Sequence, residues 1–247
     1  MDEHARAPVT IAEVTVGDDP AAWRSIGFAV DGDGTCRVGA VRIGLTGASD
    51  ERGRGIVAWS LAGAELPGDR PDRPDRPDGL DGLPTAAAAT AGPGDAGGAA
   101  PPHPNGATQL DHLVVFTPDL DRTSAAIESI GLPARRTREA GRGRLQRFFR
   151  LGEVILEVVG PAVPSGDGPA TFWGLAFTVA DLDATAALLA GRVGAPKPAV
   201  QPGRRIATLR ADRTAGAEPP PDAVSVPVAF MSAGGAAAPG GTDGAPR

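Results

Sequence analysis

The stretch from Leu110 to Pro161, opening LDHLVVFTPDLDRT and closing RLGEVILEVVGP, constrains the fold more than any other part of the chain. It reads as a strand, a helix and three further strands. Asp119 can cap the helix DLDRTSAAIESIG, whose Leu120, Ala125, Ile127 and Ile130 lie roughly on one side and which Gly131 ends. Two ionisable residues interrupt strands that are otherwise apolar, His112 in the first (110 to 117) and Glu157 in the last (153 to 159). A charge in an apolar strand is costly without a partner, which makes both residues functional candidates.

The same plan recurs on either side. Thr-Val-Ala-Asp-Leu-Asp-Ala-Thr-Ala-Ala (178 to 187) echoes Thr-Pro-Asp-Leu-Asp-Arg-Thr-Ser-Ala-Ala (117 to 126), and RRIATLR and VSVPVAFM supply later strands, which predicts a second module over 171 to 232. Upstream, RVGAVRIGLTG (37 to 47) lies over RLGEVILEVVG (150 to 160) without a gap. With VTIAEVTV as a first strand and DDPAAW as a capped helix start, residues 9 to 63 form a third βαβββ-like copy. Gly55 to Leu61 resembles the strand that starts the module at 171 and would be the stump of a fourth.

Between the copies, residues 64 to 108 change in kind. DRPDRPDRPD is a tripeptide repeat that favours extended, solvated chain, and the Ala/Gly/Pro-rich remainder holds little that could offset the entropy of ordering. This predicts a disordered linker, with His103 a bystander in it; residues 212 to 222 read as an inserted loop and 233 to 247 as a disordered tail.

A net charge of -6 argues against nucleic acid as a partner, and the basic run from Arg135 to Arg147 reads as solvated loop and strand positions. Cys36 is the only cysteine, so no intrachain disulfide can form, and a nucleophilic role for it is not expected. No apolar run of membrane-spanning length and no cleavable leader stand out, which predicts a soluble cytoplasmic protein without membrane partners.

The repeated βαβββ modules, the LDHLVVFTPDLDRT opening and the EVILEVV ending resemble the vicinal oxygen chelate superfamily, the group of glyoxalase I, extradiol dioxygenases, bleomycin resistance proteins and methylmalonyl-CoA epimerase. The resemblance covers 109 to 232 well and 9 to 63 loosely. It implies an α+β fold in which two modules pair, so that their curved sheets enclose a cavity. It also implies a divalent metal (Zn, Ni, Mn or Fe) held by side chains from the first and last strand of each module. His112 and Glu157 take those two places in module 109 to 160. In the following module Gly174 falls where His112 stands, and Val224 to Met231 contain no acid; Gly44 falls at the glutamate place of the first copy.

Three roles stay open for His112 and Glu157: metal ligands, a metal-free acid/base pair, or a mutually satisfied structural pair. A homodimer joining two copies would restore a full ligand set. On the period of two, Arg147 and Phe149 share a face; if that face is the cavity wall, Arg147 binds an anionic group while Phe149, Phe116, Trp173 and Phe177 form an apolar lining. The predicted ligand is a small oxygenated molecule. The enzyme reading is a glyoxalase- or dioxygenase-type lyase, isomerase or oxidoreductase, and its rival is a drug-sequestering binding protein of the bleomycin-resistance kind.

Overall fold

The computed structural model describes residues 8–47, 53–66, 79–89, 101–210 and 223–234. Among these residues the architecture is α+β with two sheets, as the repeats imply. The first sheet is built from β1 (Thr10–Val16), β2 (Thr35–Val38), β3 (Val41–Leu45), β4 (Ile56–Ala62) and β5 (Thr85–Ala88), in the order β2-β3-β1-β4-β5, with α1 (Pro20–Ser25) packed on it. The helix starts where the sequence places it: the Asp19 carboxylate accepts from Ala21 N at 2.7 Å and Pro20 occupies the first turn.

The second sheet has eight strands in the order β11-β12-β13-β10-β6-β9-β8-β7. They are β6 (Ala107–Phe116), β7 (Arg136–Gly141), β8 (Arg144–Leu151), β9 (Val154–Pro161), β10 (Thr171–Val179), β11 (Lys197–Pro198), β12 (Arg205–Thr208) and β13 (Val228–Ser232). Helix α2 (Leu120–Glu128) is capped by Asp119, which accepts from Arg122 N at 3.0 Å, and α3 (Leu182–Leu188) by Asp181.

The two modules meet through the antiparallel pair β6–β10, and each carries its last strand parallel to its first, β9 on β6 and β13 on β10. The first sheet repeats this pattern in reduced form. There β1 pairs antiparallel with β4, β3 lies parallel on β1, and β5 lies parallel on β4. Strand β4 is therefore the start of a fourth module, and β5 is its last strand.

That strand corrects the expectation for 64 to 108. Thr85–Ala88 joins the sheet, Leu80 and Leu83 are fully buried, and residues 101 to 108 lead into β6. His103 is no bystander: its ring accepts from Ala29 N (3.0 Å), holds Arg37 O (2.9 Å) and packs edge-on against Phe28, and burial lowers its pKa. The DRPDRPDRPD repeat, the 212 to 222 loop and nearly all of the tail lie outside the described residues.

One apolar core runs through both sheets. Trp23 and Phe28 of the first unit pack against Phe177 of the second, with ring centroids 6.2 and 4.9 Å apart, and Phe28 stacks on Phe230. Side chains of this size contribute about 2 to 3 kcal/mol each when fully buried. Asp18 adds a polar seam by accepting from Trp23 Nε1 and from the Ser225 backbone and hydroxyl. The core takes one face of the eight-stranded sheet, leaving its other face to form the cavity.

Candidate functional site

The cavity is about 700 Å³ and lies against the face of β6 that carries His112, Val114 and Phe116. Glu157 and Val159 join them from β9, and Trp173 and Leu175 from β10. His112 and Glu157, singled out by sequence, thus line one cavity. Phe116 and Trp173 also line it, with ring centroids 5.1 Å apart, and Trp173 is 44% exposed at its edge.

Arg147 and Phe177 do not line it, and Phe149 borders only a smaller pocket beside it. Across β8–β9, Phe148 faces Glu157 and Arg147 faces Val158, so the even residues Arg144, Gln146 and Phe148 share the cavity face while the odd ones turn away. Arg147 pairs instead with Asp121 of α2 at 3.0 Å, and Phe149 and Phe177 are buried in the core. The period of two was right, but only the register decides which half faces inward.

Sequence reasoning missed Asp111. Neighbours on a strand normally point to opposite faces, but between the pairs His112↔Ala176 and Leu110↔Phe177 strand β6 carries one extra residue. This bulge brings the Asp111 carboxylate to its own neighbour, with Oδ2 2.7 Å from His112 Nδ1. Arg204 Nη1 donates to both carboxylate oxygens at 3.0 and 2.9 Å, Thr178 Oγ1 donates to Oδ1 at 3.1 Å, and Arg204 Nη2 bonds Thr178 Oγ1. Arg204, placed from sequence only in a later strand, is therefore a partner of the Asp111–His112 pair. Arg205 beside it is an exposed partner of Asp183.

Burial would push the Asp111 carboxyl up, but the hydrogen bonds and charges of His112 and Arg204 outweigh it and hold it at about 2. An ionised carboxylate can only accept, so the proton of a neutral His112 ring resides on Nδ1 and Nε2 presents its lone pair. Gln201 Nε2 lies 3.4 Å from that nitrogen. Glu157 behaves in the opposite way: burial raises its pKa, against the lowering pull of His112, Arg138 and a hydrogen bond from Gln146 Nε2. Gln146 in turn accepts from Arg138 Nε at 3.0 Å. Asp111, bonded to His112, is thus pinned in the charged form, and Glu157 in the cavity wall is pushed towards the neutral form.

The ladder also settles which residues stand at the other two ligand places. If Gly174 is the counterpart of His112, the pair His112↔Ala176 must have a mirror image Gly174↔Val114, and it does. Glu157 faces Val114, so its counterpart faces Ala176, which makes it Ala229. Neither Gly174 nor Ala229 offers a donor. A Cβ at Gly174 would sit 2.7 Å from Pro227 O, so that place is filled by backbone. Among the described residues no group of three or more His, Cys, Asp or Glu is disposed to hold a metal. His112 and Glu157 remain as two donors, with Asp111 committed to Arg204. This set does not fit the metal centre that the resemblance implies, which needs about three protein ligands.

The fold is the vicinal oxygen chelate fold. Three solved structures share the fold over most of the chain: a xylose isomerase-like TIM barrel/4-hydroxyphenylpyruvate dioxygenase fusion protein, a mutant of 4-hydroxymandelate synthase from Streptomyces coelicolor, and a catechol 2,3-dioxygenase. The fusion protein matches with a TM-score of 0.61 and 13% identity over 96% of this chain, which spans 51% of that protein. The synthase gives 0.59 and 17% over 94% of this chain and 95% of its own. The catechol dioxygenase gives 0.57 and 12% over 91% and 87%. No family model and no curated protein sequence matches the chain. No described helix is long and apolar enough to cross a membrane.

Proposed function

We propose that the chain binds a small oxygenated anion in this cavity and moves a proton on the carbon beside its carbonyl group, as an isomerase or lyase does. The observation that carries the reading is the Asp111–His112 pair with Glu157 on the same cavity wall. The step is a proton transfer. His112 Nε2 takes the C–H proton, the electron pair moves into the C–C bond as the carbonyl oxygen gains charge, and the protonated Glu157 carboxyl donates its hydrogen to that oxygen. Return of a proton to carbon, on either face, regenerates both groups. Asp111 touches no substrate; it holds the His112 tautomer and favours the imidazolium that forms. Arg138, Arg144 and Lys197, which also line the cavity, would bind the substrate carboxylate.

The test is deuterium wash-in. A panel of 2-oxo acids and related carbonyl acids is incubated with the protein in D2O, and loss of the C–H signal is followed by NMR. Exchange that is at least about 100-fold slower in His112→Ala and in Glu157→Gln supports the reading. Exchange that is unchanged in both variants ends it.

A second reading, sequestration without chemistry, draws support from the donor-free places at Gly174 and Ala229 and from the apolar wall of Phe116, Trp173 and Leu175. Tight ligand binding with no exchange in the wild type would establish it. A homodimer, which would restore a full ligand set, is not required for the cavity walls, because β10 and β13 of the same chain supply its second half.

A further inference from the structure

The cavity has a second mouth of about 540 Å³, which shares His112, Arg138, Phe148, Val200 and Gln201 with the first. We infer that this second mouth binds a multiply charged oxyanion, a phosphate or phosphonate group on the ligand whose other end reaches His112. The inference rests on the cavity being a ligand site, as proposed above, and adds the class of ligand it takes.

Four arginines carry the argument. Arg135, Arg136, Arg138 and Arg150 line this mouth, and no acidic side chain does. Elsewhere Arg42, Arg122, Arg147, Arg204 and Arg205 each have a carboxylate partner, while Arg24, Arg192 and Arg210 bond backbone carbonyls. None of the four forms an ion pair among the described residues, and only Arg138 lies close enough to a carboxylate, that of Glu157, to act on it. In a protein of net charge -6, this is a local reversal of sign.

The placement is set by the strands. Arg136 and Arg138 alternate on β7, so they share a face about 7 Å apart. Arg136 faces Phe148 across β7–β8, and Arg150 stands two residues further on the same face of β8, a diagonal separation of about 7 to 8 Å. Like charges this close repel, and a bridging anion relieves the repulsion. Two of the guanidinium groups are also positioned in advance, Arg150 by its Nε bond to Gly152 O at 2.7 Å and Arg138 by Gln146. A planar guanidinium matches two oxygens of a phosphate, and several such forks converging on one opening suit a group with more than one negative charge. Because His112 lines both mouths, a ligand anchored here by its phosphate extends its other end past Gln201 to the reacting nitrogen.

The experiment is calorimetric titration with pyrophosphate at about 50 mM salt, where surface charge is not fully screened. The proteins compared are the wild type, Arg136→Gln/Arg150→Gln and Arg205→Gln. Expected are saturable binding by the wild type, at least a tenfold loss in the double variant, and no loss in Arg205→Gln. A second arm compares 2-oxobutyrate with 2-oxo-4-phosphonobutyrate, which should bind at least tenfold tighter to the wild type and equally to the double variant. Equal pyrophosphate binding by the wild type and the double variant, an equal loss in Arg205→Gln, or no advantage for the phosphonate would overturn the inference. Pyrophosphate binding that persists where deuterium exchange fails would remove the proton-transfer reading and leave this one standing.

Discussion

The chain holds the same sheet plan twice, and four matched positions separate the two copies. In the second sheet they are His112, Glu157, Gly174 and Ala229. The hairpin pair Val38↔Val41 repeats Leu151↔Val154, and carrying that register across puts Glu13, Gly44, Ala58 and Ala86 at the same places in the first sheet. There Glu13 reaches over Gly44, whose Cβ would meet its Oε1 at 2.8 Å, and bonds Arg42 at 3.3 Å on the open face. The first sheet has no described counterpart of β7, α3, β11 or β12, so no described element walls that face. An acid on a strand is thus insufficient for a site. The enclosing strands change the environment from water to cavity, and burial there raises the proton affinity of Glu157.

The largest expected contrast is between His112→Ala and Glu13→Ala. The first should cost at least about 100-fold in deuterium exchange, and the second should leave it unchanged. Loss of exchange in Glu13→Ala would mean that the first sheet takes part in the chemistry. Next comes Asp111→Asn, which releases the His112 tautomer and leaves Arg204 uncompensated. Exchange should fall about 10- to 100-fold. Stability should fall by about 3 kcal/mol, as a buried pair with side chains 12% and 13% exposed loses one partner; urea unfolding measures it. A normal exchange rate in this variant would make Asp111 purely structural.

The contrast can also be sharpened by adding what the second sheet lacks. Ala229→Glu supplies a third donor, so zinc affinity by competition with a chelator should rise at least tenfold over the wild type, while the matched Ala86→Glu in the first sheet should gain nothing. A wild type that already retains zinc tightly would show that two donors suffice.

The smallest effects are in pH dependence. Glu157 is raised in the folded protein above its ordinary 4.5, so the folded state binds its proton more strongly and loses stability as pH rises through the shifted value. Glu157→Gln should therefore be slightly more stable than the wild type at neutral pH, with the gain vanishing below about 4.5. Asp111 has the opposite sign: lowered from 3.8 to about 2, it contributes stability above 3.8 that is lost as pH falls towards 2. Melting temperatures of both variants across pH 2 to 8 would show the two slopes.

Much of this was legible in the sequence, and what was not has a common cause. The helix caps at Asp19 and Asp119 and the two polar residues in apolar strands are local patterns, and they appear in the structure. The face of β8 was misassigned because alternation defines two faces without saying which is inside, and the ladder Phe148↔Glu157 that decides it is a long-range fact. The even-numbered Arg136, Arg138, Arg144 and Arg150 carried the signal for a basic cavity wall, but the same alternation suits a solvated edge. Asp111 escaped because a bulge cannot be read from one strand. Its only trace is an acid beside the histidine, together with Arg204 far along the chain. Strand β5 was hidden because TAAA has little strand propensity and is held by its neighbour in the sheet.

The Pro227 carbonyl beneath Gly174 also bears on how this site can change. A histidine there would require the β13 backbone to shift first, and that shift brings no benefit until the histidine is present. Laboratory evolution by single substitutions should therefore pass over position 174 and draw its new ligands from Ala229 or Gln201. The cavity is open to new small molecules but closed in one direction, towards the metal centre that its symmetry would otherwise suggest.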